Sequence, residues 1–337
     1  MDSMRKKRSM ASIGILVLLA AVGLELGGYA VGRATNTLTA VRTRENQAAT
    51  QPTPHYAGSL KIITYNICRG RGGDTNPWPV KHRPAMEKRL QDIADLLARE
   101  AADIVVLNEV DFDSLCSGRL NQAQYLGRRA GYPFCVEQRN VDAATLLAFR
   151  ERSGNAVLSR YPVKQVRLVS FPGYTKWETI LGGKSNAVLC DITLSENLSV
   201  RLLATHLESR SEAVRVESAR IVEGERLASP LPFLVVGDLN STPKGFPHSQ
   251  EANGQNAMDI LLGGGGYTTS PLRDPTPSDF TIVVGNPIKI VDWVLVPPSW
   301  SILSRKVVSL TASDHMAVVM EVGAPGPRPG PGTQDNR

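Results

Sequence analysis

The stretch Phe233-Leu-Val-Val-Gly-Asp-Leu-Asn-Ser-Thr-Pro243 begins as an apolar run and ends abruptly in Gly237, Asp238 and Asn240. The run of Phe, Leu and Val predicts a short buried strand. Gly237 permits a close approach of two backbones, and Pro243 prevents a helix from continuing. An acid and an amide two residues apart at the carboxyl end of a strand suit the binding of a polar ligand, although the same residues also make ordinary turns. The rest of the chain decides between these alternatives.

The composition is that of a globular protein. Of the 337 residues, 42% are hydrophobic and 21% are charged, which is enough for one large domain or two small ones. The formal net charge is +6, and Arg5, Lys6, Lys7 and Arg8 supply four of these charges, which leaves +2 (6 − 4) for the remainder. This part of the chain lacks the strong positive charge of a nucleic-acid-binding domain, unless its basic residues are clustered in one patch.

The first 32 residues differ from the rest of the chain. The basic cluster 5–8 precedes an apolar stretch, 11–31, whose only charged residue is Glu25. This length is near the roughly 20 residues that span a bilayer, and the basic flank predicts a single-pass anchor with a cytoplasmic N-terminus. A cleaved signal peptide is the alternative, because Gly28 and Ala30 form a small-x-small site. Both alternatives predict that the remainder is exported, either tethered to the membrane or secreted.

The remainder divides into a linker, one domain and a tail. Residues 33–58 are polar and without a period, which predicts a linker. Residues 323–337 are rich in Pro and Gly and predict a disordered tail, while 59–322 contain no comparable break. The cysteines have no zinc-ligand spacing, so an exported domain would leave them either in disulfides, with three possible pairings, or as buried free thiols. They are Cys68, Cys116, Cys135 and Cys190.

Apolar runs within 59–322 predict many strands and few helices. The predicted strands are 60–67, 104–107, 145–149, 156–159, 186–194, 200–206, the strand that ends at Asp238, 288–296 and 316–322. Helices are predicted behind Pro84, from a capping box of Ser209 and Glu212 to Leu227, and near Met258. This balance of elements predicts packed sheets flanked by helices, a layered α/β sandwich.

Polar residues suited to chemistry follow or interrupt several of these runs. They are Asn66, Glu109, His206, Asp238, Asn240, Asp292, Asp314 and His315. Each has a structural alternative, such as a cap, a turn or a packed core histidine. Charges beside buried strands are costly unless they are paired or bind a cation. Because the four carboxylates have no matching Lys or Arg within their motifs, we expect a hard divalent cation, with Mg²⁺, Mn²⁺ or Ca²⁺ favoured over zinc.

The order of seven short motifs resembles the endonuclease/exonuclease/phosphatase superfamily. The motifs are Thr64-Tyr-Asn-Ile67, Leu107-Asn-Glu-Val110, Ser153-Gly-Asn-Ala156, Thr205-His-Leu207, Gly237-Asp-Leu-Asn240, Val291-Asp-Trp293 and Ser313-Asp-His315. The resemblance spans the whole predicted domain. It implies a four-layer α-β-β-α sandwich, with two packed mixed sheets flanked by helices, and magnesium-dependent cleavage of a phosphate ester.

The resemblance also implies which residues bind the metal and activate water. Glu109 would be the principal metal ligand, with Asn66 and Asp314 as further ligands. Asp238 would orient or deprotonate the attacking water. Whether Asp238 or His315 is the general base stays open at this point.

The remaining residues would contact the substrate. Asn240 would hold the phosphate, and Asn155 from the third motif would also bind the substrate. His206 would donate a hydrogen bond to the phosphoryl oxygens, where charge builds up in the transition state. His315, paired with Asp292, would act as a base or stabilise the transition state.

The sequence departs from the family pattern at three positions, of which the first disfavours abasic-site repair and the second leaves Glu109 in place. Arg152 stands where exonuclease III-type relatives have a tyrosine, Asn108 stands where many relatives have Gln, and only Trp293 follows Asp292 where inositol phosphatases have a longer Trp-containing signature.

From the N-terminal segment, the carboxylates and the resemblance together, we expect a monomeric, exported, metal-dependent hydrolase that cleaves phosphodiesters of nucleic acid or phospholipid. A phosphomonoesterase and a catalytically inactive surface binding protein on the same fold are the alternatives.

Overall fold

The computed structural model describes residues 2–36, 41–45, 54–73, 83–144, 150–176 and 185–323. The α-helices within these ranges are α1 (Asp2–Asn36), α2 (Arg83–Glu100), α3 (Gln122–Arg129), α4 (Glu212–Leu227) and α5 (Ala257–Leu262). The strands are β1 (Val41–Glu45), β2 (Ser59–Asn66), β3 (Ile104–Asp111), β4 (Phe134–Ala144), β5 (Arg150–Ser159), β6 (Val163–Ser170), β7 (Asn186–Ser195), β8 (Leu198–His206), β9 (Phe233–Asp238), β10 (Asp292–Leu295), β11 (Ser301–Val308) and β12 (Ala317–Gly323).

The described strands form two mixed sheets. The first sheet has seven strands in the order β1-β4-β5-β3-β2-β12-β11, and the second has five in the order β10-β9-β8-β7-β6. Each contains one parallel pair, β2 with β3 in the first sheet and β8 with β9 in the second. The other neighbouring strands are antiparallel.

Alternating side chains bury both faces of each sheet. Ile62 packs between the sheets against apolar residues of β7 to β10, whereas its neighbour Ile63 packs in the layer that contains Leu90 of α2. In the second sheet, Val235 faces the helices and packs in the layer that contains Met258 of α5. This period of two is what the pleat of a strand dictates. The layers are α-β-β-α, which confirms the predicted fold class.

Helix α4 begins differently from the sequence prediction. Ser211, rather than Ser209, is the N-cap residue, and its side chain accepts a hydrogen bond from Val214 N. Glu212 is buried, and its carboxylate accepts hydrogen bonds from Ser241 Oγ, Ala257 N and Arg215 Nε. The acid is therefore used for tertiary contacts and does not close a capping box with Ser209.

Several strands were not predicted. Strands β6 and β11 lie at the edges of the sheets and carry many exposed polar residues, so their apolar pattern is weak. Strand β4 contains buried charged residues, which the sequence prediction did not associate with a strand. Of the predicted strands, 288–296 is shortened to Asp292–Leu295, and 145–149 lies outside the described residues.

The N-terminal prediction is only partly matched. Helix α1 covers the predicted anchor, yet no helix in the described ranges is long and apolar enough to cross a membrane, which differs from the sequence prediction. Strand β1 lies within the predicted linker and pairs with β4. In the predicted tail, Gly323 is the last residue of β12, and 324–337 lie outside the described residues.

The cysteines are free thiols. Cys68, Cys135 and Cys190 are buried, and Cys116 is half-buried. Burial raises the pKa of Cys190 to about 12. Of the two alternatives that the sequence leaves open, the structure shows free thiols.

Candidate active site

The two parallel strand pairs end at one place between the sheets. Asn66 is the last residue of β2, while His206 and Asp238 end β8 and β9 and lie side by side in register. Asn66 Nδ2 donates hydrogen bonds to Glu109 Oε1 and to Asp238 Oδ2, each over 3.1 Å. This amide therefore joins a carboxylate of the first sheet to one of the second, and the predicted residues of both sheets meet here.

Gly237 brings β9 against β8 at this point. Its φ is 148°, and a Cβ atom added to it would lie 1.8 Å from Thr205 O. A larger residue cannot occupy this position without moving the backbone, so the close approach predicted from the sequence is confirmed. Asn240 follows in a left-handed turn with φ 49°, and its backbone N–H donates to Asp238 Oδ1 over 2.9 Å.

Asp238 is a buried carboxylate with several polar neighbours. Its side chain is 1% exposed, and its Oδ2 lies 3.4 Å from His206 Nε2 and 3.7 Å from His315 Nε2. With the hydrogen bonds from Asn66 and Asn240, this carboxylate has four polar neighbours that hold it in one orientation.

His315 lies between two carboxylates. Its Nδ1 is 2.9 Å from Asp292 Oδ2, and its Nε2 faces Asp238. Burial alone would lower the pKa of His315, but the charges of Asp292 and Asp238 outweigh burial and raise it to about 10. Burial raises the pKa of Asp292; the His315 charge opposes this change and the Asp238 charge adds to it. The predicted pairing of His315 with Asp292 is thus present.

The loop that carries His315 is attached to β2. Ser313 Oγ donates to Asn66 O over 2.7 Å, and the same oxygen accepts a hydrogen bond from His315 N over 3.1 Å. Behind this loop, Thr281 O accepts a hydrogen bond from Met316 N. These contacts fix Asp314 and His315 relative to the end of the first sheet.

Glu109 is turned out of the regular pleat of β3. Its φ is 51°, and the pairing of β3 with β5 shifts register between Leu107 and Val110. The side chain is 32% exposed, and its Oε2 lies 3.9 Å from Arg71 Nη2. Burial tends to raise the pKa of Glu109, but His206, the hydrogen bond from Asn66 and Arg69 together lower it. The site therefore presents an ionised, partly exposed carboxylate.

The donor atoms near Glu109 fit a hard divalent cation. Asp314 is half-buried, and no Lys or Arg in the described part of the chain lies within ion-pair distance of it. Burial, followed by the charges of Glu109 and Asp314, raises the pKa of the Cys68 thiol to about 12, so both carboxylates lie close to this residue. Two incompletely paired carboxylates are suitable ligands for Mg²⁺, Mn²⁺ or Ca²⁺. The predicted ligand Asn66 turns its nitrogen to Glu109, while its Oδ1 accepts from Cys68 N over 3.0 Å.

A second group of possible ligands lies deeper. One ligand atom from each of Asp238, Asp292 and His315 lies within 4.8 Å of the others, and all three residues are buried. In this group His315 Nδ1 and Asp292 Oδ2 are already hydrogen-bonded to each other, so neither atom is free to bind a metal ion. The sequence predicted metal binding at Asn66, Glu109 and Asp314, so the compact group and the predicted set share no residue. Glu109 and Asp314 are half-buried and so are more accessible than the buried carboxylates Asp238 and Asp292.

Asn155 lies below the site rather than on its surface. It is 0% exposed; its Oδ1 accepts from Asn108 Nδ2 over 2.8 Å, and its Nδ2 donates to Gln138 Oε1 and Asn186 O. Asn108 Oδ1 in turn accepts from Asp238 N over 2.9 Å. Asn155 was predicted to bind the substrate. In the structure it is buried and is linked to Asp238 by hydrogen bonds through Asn108. The sequence prediction noted Asn108 only as a departure from its relatives.

A cleft of about 320 Å³ opens beside Glu109 and His206. It is lined by Arg69, Glu109, Asn140, Val141, Ser153, Gly154, Ser185, His206, Glu208 and Arg210. Arg69 donates to Glu151 and Ser153, and Arg210 donates to Glu208 over 2.9 Å. Sequence reasoning missed both arginines, because they lie in loops after β2 and β8 with no pattern that marks them.

Comparisons with known proteins identify the family. The model of the "Endonuclease/Exonuclease/phosphatase family" matches residues 63–315, and a search of curated proteins finds no match. The structure is similar to an endonuclease/exonuclease/phosphatase from Beutenbergia cavernae DSM 12333, with a TM-score of 0.60 and 23% identity over 80% of this chain and 72% of that chain.

Two further solved structures have named activities or ligands. One is ANGEL2, a 2′,3′-cyclic phosphatase, with a TM-score of 0.55 and 16% identity over 80% of this chain and 96% of that one. The other is D. rerio TDP2 complexed with a single-strand DNA product, with a TM-score of 0.54 and 17% identity over 79% and 99%. At these identities the structural likeness shows the fold. Because the family model runs from β2 to His315 and so covers well over half of the chain, the protein belongs to the endonuclease/exonuclease/phosphatase family.

Proposed function

We propose that this family hydrolase of phosphate esters cleaves a phosphodiester by attack of water and requires a divalent cation. The observation that carries the proposal is the position of Asp238, which is linked through Asn66 to Glu109 and lies beside two imidazoles. A buried, oriented carboxylate next to a polar cleft suits the activation of water.

Glu109 and Asp314 would hold the cation, with Mg²⁺ as the first candidate and Mn²⁺ or Ca²⁺ as alternatives. When bound, a divalent cation would neutralise negative charge on the phosphoryl oxygens. In this proposal Asn66 orients the two carboxylates that it joins, since its nitrogen faces both of them.

In the chemical step Asp238 transfers the proton, and residues from both sheets contact the phosphate. Asp238 accepts the proton of the attacking water, and a bond forms between the water oxygen and phosphorus as the ester P–O bond breaks. The departing oxygen takes a proton from solvent. His206 and His315 donate hydrogen bonds from Nε2 to the phosphoryl oxygens, where charge increases in the transition state. Asn240 contacts the phosphate from the turn after β9, and Asp292 keeps His315 in the required orientation.

Nucleic acid and phospholipid are both candidate sources of the diester. TDP2 with its DNA product favours the former by likeness of fold, whereas the nearly balanced charge of the domain does not. ANGEL2, a cyclic phosphatase, shows that the fold accommodates other phosphate esters. The alternative of an inactive binding protein is disfavoured, because the predicted acids and histidines are all present and close together.

A panel assay tests the proposal. The purified protein is incubated with Mg²⁺ and, separately, DNA, RNA, sphingomyelin, phosphoinositides and bis-p-nitrophenyl phosphate. We expect turnover of at least one diester, loss of this activity in excess chelator, and recovery with Mg²⁺ or Mn²⁺. The variant Asp238→Asn, prepared in parallel, controls for contaminating enzymes. Turnover that continues in excess chelator would overturn the metal requirement, and absence of turnover with every ester would favour the binding protein.

We also propose that the domain is exported and acts as a monomer at or beyond the membrane. The basic cluster 5–8 before the apolar stretch supports export, and the apolar side chains from Ile13 to Leu26 of α1 are exposed rather than packed. Fractionation of cells that produce the full chain tests the location. Recovery of the protein from the cytoplasm alone would contradict it.

A further inference from the structure

A bulge in β4 aims Asn140 into the cleft. Strand β4 pairs with β5, and the register shifts between Arg139 and Val141, so Asn140 is the extra residue. Gly154 opposes the bulge: a Cβ atom there would lie 2.1 Å from Gln138 O and 2.8 Å from Asn140 N. Only glycine permits this approach. Bulges redirect side chains and are frequent beside active sites.

The side-chain amide of Asn140 is held in one orientation. Its Oδ1 accepts from Gln138 Nε2 over 3.0 Å and from the backbone N–H of Asn186 over 2.9 Å. No acceptor for its Nδ2 lies within the described ranges. The amide oxygen is therefore fixed toward the protein, and the amide hydrogens are available to a molecule in the cleft.

Buried amides connect Asn140 to the proposed catalytic carboxylate. Gln138 accepts from Asn155, Asn155 accepts from Asn108, and Asn108 accepts from Asp238 N. Gln138, Asn155 and Asn108 are all 0% exposed. Because such satisfied buried networks are rigid, the distance between Asn140 and Asp238 is set by the fold.

The other groups in the cleft favour an uncharged polar ligand. Among the described residues that line the cleft, Val141 alone has an apolar side chain, and such a lining favours polar groups over an acyl chain or an alkyl group. The charge of Arg69 is balanced by Glu151 and that of Arg210 by Glu208. Hydroxyl groups both donate and accept hydrogen bonds, so they match the amide donor of Asn140 and the carboxylate of Glu208.

We propose that this cleft is a subsite for a hydroxyl-rich substituent of the phosphate ester, a sugar or polyol, and that Asn140 donates a hydrogen bond to one of its oxygens. The inference rests on the proposed function, because the cleft opens at Glu109 and His206, where the phosphate is expected. Asn140 determines specificity in this scheme and takes no part in the transfer of protons.

The test compares the binding of two phosphate monoesters with five carbons each, ribose 5-phosphate and pentyl phosphate. Dissociation constants are measured by titration calorimetry with the full chain in Mg²⁺, for the wild type and for Asn140→Asp. The substituted carboxylate keeps an oxygen for Gln138 and Asn186, but it places an acceptor where the amide hydrogens were. Asn253→Asp makes the same chemical change on an exposed turn outside the cleft and serves as the control.

We expect the wild type and Asn253→Asp to bind ribose 5-phosphate about tenfold more tightly than pentyl phosphate, the scale of one or two hydrogen bonds. In Asn140→Asp the ratio should fall to about one. The ratio of the two dissociation constants is compared because the new carboxylate repels phosphate in general and so lowers the affinity for both ligands alike. Equal binding of the two ligands by the wild type, or no measurable binding of ribose 5-phosphate, overturns the subsite whether or not the variant folds. An unchanged ratio in folded Asn140→Asp also overturns it.

The subsite and the proposed function fail in different ways. If the wild type shows the expected ratio but hydrolyses no ester of the panel, the subsite stands and the hydrolytic function is wrong. If a diester is hydrolysed but the ratio is one, the function stands and the subsite is wrong.

Discussion

Asp238 and Glu109 are carboxylates with different surroundings, and this difference separates their proposed roles. Asp238 is buried, accepts hydrogen bonds from Asn66 and Asn240, and lies beside two imidazoles. Glu109 is about one-third exposed and has one oxygen with only a distant arginine near it. An oriented buried acid suits proton transfer, whereas an accessible ionised acid suits metal binding.

Substitution of these two acids should separate metal binding from chemistry. Glu109→Gln removes a ligand charge, so we expect weaker Mg²⁺ binding, lower activity and partial rescue at high Mg²⁺. Asp238→Asn keeps the shape of the side chain but cannot accept a proton, so we expect turnover to fall roughly 10²-fold or more with little change in Mg²⁺ affinity. Calorimetric Mg²⁺ titrations beside initial rates measure both quantities.

One outcome would reassign Asp238. If Mg²⁺ rescues Asp238→Asn as it rescues Glu109→Gln, then Asp238 is a ligand, and the compact group of Asp238, Asp292 and His315 becomes the metal centre. His315→Ala serves as a further comparison, because the proposal expects its turnover to fall without a change in Mg²⁺ affinity.

Asn108 should be important for stability as well as for the site. Its amide bonds to Asp238 N, Asn155 Oδ1 and Thr205 O, and it is 0% exposed. Asn108→Ala leaves buried groups of both sheets without partners, at about 1–3 kcal/mol for each unsatisfied group. We expect the free energy of unfolding to fall by at least about 2 kcal/mol, as measured by urea denaturation. Asn197→Ala, on an exposed turn without a positive φ, is the control, and an equal effect of the two substitutions would contradict the role of Asn108.

At the scale of elements, β4 connects the N-terminal segment to the cleft. Its outer neighbour is β1, and its inner neighbour β5 carries Gly154 opposite the bulge at Asn140. The pairing places Val41 opposite Gln138, whose side chain holds the Asn140 amide. Removal of β1 would expose the edge of β4 close to the cleft.

Two shortened chains test the contribution of β1. A chain that begins at Ser59 should fold and remain soluble, because β2 and all buried residues of the three described core clusters except Tyr56 lie at or after this residue. Compared with a chain that begins at Val41, it loses the backbone pairing of β1 with β4, at about 0.5–1.5 kcal/mol for each hydrogen bond. The loss of the buried Tyr56 adds to the expected effect of removing β1. We expect a Tm lower by several degrees and faster amide exchange in Phe134–Gln138. Equal Tm and exchange in the two chains would show that β1 contributes nothing, and aggregation of the shorter chain would place the domain boundary before Ser59.

At the scale of the whole molecule, the folded protein keeps its four cysteines as free thiols. Cys68, Cys135 and Cys190 are buried, and burial raises the pKa of the half-buried Cys116 to about 12, an effect to which the charge of Asp111 adds. Since the thiolate is the reactive form, all four are expected to react slowly in the folded protein.

Thiol titration without a reducing agent checks this arrangement. In denaturant, we expect a thiol-specific reagent to detect all four cysteines of the chain. In the native protein at pH 8, reaction should be slow, with Cys116 the first to react because it is the most accessible. Detection of two thiols in denaturant would show a disulfide, and rapid reaction of the native protein would contradict the burial.

The strands with strong apolar runs, such as β2, β7 and β9, could be predicted from the sequence, as could the acids and histidines that follow such runs. Apolar periodicity and turn residues are local properties, so they can be read without a fold. Motif order then identified the layered architecture. The glycine at 237 was also predictable, since a residue without a Cβ at the end of a buried strand indicates a close backbone approach.

The contacts of the remaining polar residues could not be predicted, because they depend on the packing of strands that are distant in sequence. Strand β4 escaped prediction because Glu137, Arg139 and Asp142 are buried in it. Arg139 donates to both acids, Glu137 also accepts from Asn121 and Gln124, and Asp142 also accepts from Arg152. The burial of Asn155 and the aim of Asn140 depend on partners in β3, β4 and β7 that are distant in sequence. A buried charge or amide is stabilised only by its partners, and these partners are set by strand pairing, register and bulges across both sheets.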